Sequence, residues 1–190
     1  MKCQALVRLS VAGLMTVGLF LEASAVASAE EIYTATLVEP RGLREPKRAE
    51  LTLTIEQFST EEDSVKLQAV FDEQGSDGLM QAIREMSRGS ATVVGGQTSR
   101  IHHVRVREGQ VGSTIIIVTE SPLYFPGERP DMRSLDALGI VQIDLNQQGM
   151  GRGMLAEVVA VGVKEDGSLE IQTFNRANIR LEDVRRKLEP

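Results

Sequence analysis

The chain has no tryptophan, two tyrosines, five phenylalanines and two histidines among its 190 residues. With aromatics at 4%, the flat side chains that stack on sugars or unpaired bases are scarce, which counts against carbohydrate and single-strand nucleic-acid binding. Cysteine is nearly absent. Cys3 lies before the apolar run of the N-terminus, whereas a lipidated cysteine stands just after such a run. Cys3 therefore leaves with the leader argued below, and disulfides, thiolate metal sites and a cysteine nucleophile are excluded from the rest. Basic charge is also short. Removing Lys2, Arg8 and Glu22 from 21 basic and 27 acidic residues leaves 19 and 26, a net charge of −7, which repels nucleic acid and anionic membranes. No GxSxG, HExxH or SxxK motif occurs, and no calcium-loop spacing.

What the N-terminus does hold is a leader. Lys2 and Arg8 precede an uncharged apolar run from Leu9 to Leu21, and the small residues EASAVASA follow. The run is too short to cross a bilayer as a helix, and Ala27 and Ala29 stand at the spacing that signal peptidase reads. Residues 1–29 are expected to be a signal peptide cut before Glu30, with a second candidate site after Ala25. The remaining residues, 30–190, suit one domain with an adequate core, delivered to the periplasm or medium with no stable membrane insertion after cleavage.

Period-two alternation dominates this domain. IYTATLVEP reads as a strand, and in AELTLTIEQF the residues Leu51, Leu53 and Ile55 share one face. PRGLREPKR between them reads as a hairpin loop. The period then changes: Ser59 and Glu62 have capping-box spacing, Val65, Ala69 and Val70 continue a helical face, and Gly75 ends it. A second short helix is expected from Ser76 or Asp77, with Leu79, Ile83 and Met86 as its apolar stripe. From Ala91 the strands return as ATVV, RIHHVRVRE and STIIIVTE, then GIVQIDLN with Val141, Ile143 and Leu145 on one face. NQQGMGRG reads as a turn, MLAEVVAVGV as a longer strand, and Asp166 with Gly167 as a hairpin signal before SLEIQTF and ANIRLEDV. Connections this short cannot join parallel strands. The fold class is mainly β (α+β): an antiparallel meander of eight to nine strands forming a barrel or sandwich, with a helical hairpin inserted after the second strand.

Chemistry has few candidates. His102 and His103 are the only imidazoles, and any general base near neutral pH or histidine metal site must use them. On a regular strand they point to opposite faces, His102 with Val104 and Val106, His103 with Arg105 and Arg107, so they cannot share an ion. The expectation is a partly buried His102 and an exposed His103, with no metal site and no cofactor. GMGRG lacks both nucleotide fingerprints and precedes a strand, so it reads as a flexible turn. The segment from Glu120 to Gly139 is about twenty residues long, where most connections are four to six. Its Tyr124, Phe125, Glu128 and Arg129 are the candidate ligand-binding residues of a lid over an apolar cavity. The alternative is that Tyr124 and Phe125 plug the end of the sheet. An enzyme would need His103 beside Glu128 or Asp131, which no spacing implies.

The block FSTEEDSVKLQAVFDEQGSDGLMQAIREM, the block IIIVTESPLYF and the closing GSLEIQTFNRANIRLEDV resemble, in their order, a group of small exported bacterial β-rich proteins of unknown function. The resemblance implies an exported β-domain and assigns no activity, cofactor or site residue. The reading that results is a non-enzymatic binding module for a small apolar or amphipathic molecule, its partner that molecule or an envelope protein. The alternative is a structural or protein-interaction domain of the envelope without a pocket.

Overall fold

The computed structural model describes residues 30–41, 43–128, 137–163, 169–174 and 179–187. The expected signal peptide, Arg129, Asp131, and the turn at Asp166 and Gly167 lie outside the described residues. Among the described residues, nine strands and one helix are formed: β1 (Glu31–Arg41), β2 (Arg44–Ile55), α1 (Glu61–Arg84), β3 (Gly89–Val93), β4 (Thr98–Glu108), β5 (Gly112–Thr119), β6 (Leu138–Asn146), β7 (Met150–Val163), β8 (Leu169–Phe174) and β9 (Arg180–Lys187).

Every pairing is antiparallel. The order β6-β5-β4-β3-β2-β1-β9-β7 closes through β6–β7 into an eight-stranded barrel, and β8 adds to the upper half of β7, with Val163 opposite Leu169. The architecture is a barrel, not a sandwich. Strand directions give it two ends. The upper end carries the β1–β2 hairpin, the β3–β4 turn and the segment after β5; the lower end carries the start of β1 and the end of β9.

Alternation fills the barrel. Leu51, Leu53 and Ile55 of β2 meet Val141, Ile143 and Leu145 of β6, Ile115 and Ile117 of β5 and Leu37 of β1 in one interior cluster. A closed eight-stranded ring is just wide enough for such side chains to fill.

Two turn expectations are corrected. Most of PRGLREPKR, residues 40–41 and 44–48, is strand rather than loop: β1 and β2 stay paired to Arg41 opposite Arg44, with a register shift between Glu39 and Arg41 where Pro40 sits. Proline is tolerated there because β1 leaves β9 after Val38 and its edge needs no donor. The hairpin therefore projects from the barrel with Leu43 fully exposed. GMGRG is likewise mostly strand, the turn being Asn146–Gly149. The Asn146 side chain accepts from the Gln148 and Met150 amides at 2.9 and 3.1 Å. A Cβ at Gly151 would collide with the Asp144 carbonyl across the ladder, so this glycine lets β6 and β7 close.

The expected helical hairpin is one helical element, α1. Its capping box is one residue later than expected: Thr60 accepts from the Asp63 amide at 3.2 Å and Asp63 accepts from the Thr60 amide at 2.8 Å. Ser76 and Asp77 directly follow the kink at Gly75, within the range of α1. Gly75 alone departs from helical geometry, at φ 69° and ψ −159°, and the element bends back there. A straight helix of this length would span about 36 Å, yet Arg88, just past its end, meets Asp63 of its first turn at 2.7 Å. Val65 and Ala69 are exposed. The buried face is Leu67 with Leu79 and Ile83, packed on Val118, Leu138 and Ile140 outside the barrel.

Candidate functional site

The segment after β5 is held by polar groups of neighbouring turns. The Thr119 hydroxyl donates to the Ser121 carbonyl at 2.8 Å, the Ser121 amide to Ser99 Oγ at 3.1 Å, and the Gln97 side chain to the Pro122 carbonyl at 2.5 Å. Gly139 makes room for it, because a Cβ there would strike Thr119 Oγ1, the Ser121 carbonyl and Pro122. Leu123, Tyr124 and Phe125 are thereby driven inward and are buried, Phe125 within the interior cluster.

Glu128 fixes the far side of this plug. Its carboxylate accepts from the Phe125 amide at 3.3 Å and from Lys47 Nζ of β2 at 2.6 Å. The ammonium also lies 4.8 Å from the centre of the Phe125 ring, a cation–π contact. One lysine of the projecting hairpin thus pins both the carboxylate and the ring.

Beside the plug is a cavity of about 290 Å³. Its apolar walls come from Leu123, Tyr124, Ile140 and Leu155, and three carboxylates, Glu39, Glu128 and Glu157, stand around it. Of the expected ligand-binding residues, the structure brings Tyr124 and Glu128 to this cavity and sends Phe125 into the core; Arg129 lies outside the described residues. Sequence reasoning missed Glu39, Leu155 and Lys47. Lys47 was hidden in a segment that read as loop, and nothing local ties Glu39 of β1 to Leu155 of β7.

The histidines are placed differently from expectation. Ile101 pairs with Thr119 and His103 with Val118, so β4 bulges at His102. Two residues then fit between the core-facing Ile101 and Val104, and a bulge of this kind turns both toward the same side. Both imidazoles lie outside the barrel, against α1 and its flanks, and both are buried. His102 donates Nδ1–H to the Met86 carbonyl at 2.6 Å. His103 lines a cleft at the start of α1 with Ser59, Ser64 and Arg105. Burial chiefly, and then Arg105 and Arg88, push its pKa down to about 4, while Asp63 opposes them. Glu128 is bound at the other cleft, so the pairing an enzyme needs is not formed with it. Among the described residues, no three histidine, aspartate or glutamate groups are placed to hold a metal.

At the lower end a recess of about 530 Å³ is lined by the last interior side chains, Tyr33, Phe58 and Leu145. The Tyr33 hydroxyl donates to Glu31 at 2.5 Å and Arg186 meets the same carboxylate at 2.6 Å. Burial, then the Glu31 hydrogen bond, raise the phenol's pKa.

Comparison with family models, with curated proteins and with solved structures finds no match.

Proposed function

We propose that the exported domain is a non-enzymatic binding module that takes a small apolar or amphipathic molecule at its upper rim, beside the plug, rather than along the barrel axis. The observation that carries this reading is the cavity of about 290 Å³ walled by Tyr124, Leu123, Ile140 and Leu155. A pocket of roughly 300 Å³ is at the small end of those that hold ligands, and barrel mouths are a common place for them. Apolar walls with carboxylates at the edge suit a molecule with an apolar body and a polar end.

The test is native mass spectrometry of the protein purified from its own secretion host, before and after mild denaturation. A stoichiometric extra mass that leaves on unfolding, and that is lost in a Leu155→Trp variant of unchanged melting temperature, supports the reading. Retention of the mass by that variant would place the ligand elsewhere.

The filled barrel interior favours a second reading, an envelope interaction domain without a ligand. A bare chain from the same host supports this one.

A further inference from the structure

Closure gives each of the eight barrel strands a neighbour on both sides. β8 is different. Among the described residues it pairs with β7 alone and is the one strand with a neighbour on a single side. Such an edge is a row of unpaired amides and carbonyls open to another chain. Sheets usually blunt it with lysine, proline or a bulge. LEIQTF has no lysine or proline, and the register shift of this pair falls in β7, between Val158 and Ala160. Its support is weak as well. β7 loses β6 after Val158, and its sequence from 158 to 163 is VVAVGV, with no charge or hydroxyl. Two strands standing alone are marginal in water, and unbroken apolar runs belong to strands covered on both faces.

We propose that β8 pairs with β8 of a second copy of this chain, antiparallel across a two-fold axis. The occupant follows from the topology. Among the described residues β8 is the one strand open along its whole length, where other strands are open only over part of theirs, and a contact of β8 with its own copy is isologous and closes on itself. The strand is also compatible with itself. With all six residues paired, Leu169 stands opposite Phe174, Glu170 opposite Thr173 and Ile171 opposite Gln172. The single acid never faces its own copy, which would be unfavourable.

Sedimentation velocity over a concentration series, on the purified exported protein, tests this. The wild type is a dimer that dissociates on dilution. Thr173→Glu sets two pairs of carboxylates face to face across the axis and raises the dimer Kd by roughly tenfold, whereas Thr173→Lys sets two opposite-charge pairs there and lowers it by a similar factor. A variant that merely damaged β8 would not produce opposite signs. Hydrogen exchange adds a second readout: the amides of residues 169–174 slow as the protein associates. A monomer at every concentration, a same-sign response of the two variants, or a dimer without slowing in β8 would overturn the proposal.

Discussion

His103 is a neutral imidazole buried at the start of α1, and its burial makes stability depend on pH. Its pKa is about 4 in the folded chain against 6.5 for the free side chain. Below 6.5 the unfolded state takes up a proton that the folded state refuses, so stability falls as pH drops. The fall ends near pH 4, where the folded state protonates too. Over that window the loss is on the order of 3 kcal/mol. Urea unfolding across the window measures it, and His103→Gln is expected to remove this part of the slope. An identical slope in the variant would assign the acid sensitivity to carboxylates. The bulge that creates this environment had no signature in the residues: RIHHVRVR reads equally well as a regular strand, and only the pairing of Ile101 with Thr119 and His103 with Val118 shows the extra residue.

At the scale of elements, α1 depends on one backbone conformation. Gly75 adopts φ 69° and ψ −159°, a region essentially restricted to glycine, and nothing lies within 4 Å of where its Cβ would be. Gly75→Ala therefore meets backbone strain and no steric clash, with an expected cost of about 2 kcal/mol in chemical denaturation. A variant as stable as wild type would mean that α1 relaxes without cost. Much at this scale was legible in the sequence. Leu51, Leu53 and Ile55, like Val141, Ile143 and Leu145, are interior as their alternation predicts. Leu79 and Ile83 form the buried helix stripe, and the break at Gly75 was visible as a glycine between two periodic runs. The rest was hidden where residue type and role part company. Pro40 and Pro46 signal loop chemistry yet sit in paired strands, because each strand there has a neighbour on one side only. Gly151 signals a turn yet serves the close approach of β6 to β7. The site was half legible. Tyr124 and Glu128 stood out in an overlong connection, but Glu39, Leu155 and Lys47 arrive from three other strands.

For the whole molecule the decisive event is the pairing of β1 with β9, Ile32 opposite Lys187. Local alternation carries no information about partners that far apart, which is why barrel and sandwich could not be separated from sequence. Such long-range pairing also makes for slow folding, since loop entropy is lost before contacts reward it. A chain ending at residue 179 lacks β9 and leaves β1 and β7 with open edges. It is expected to aggregate on refolding while the complete chain does not, as light scattering will report. A soluble, monomeric truncation with native exchange protection in β1 would show that the barrel does not need its last strand.

The same pairing brings the first and last strands side by side at the lower end, while Tyr124, Glu128 and the β1–β2 hairpin stand at the upper end. A tether, fusion or surface attachment made through either terminus would thus hold the domain by its base. The plugged rim would face outward and away from whatever the domain is fastened to.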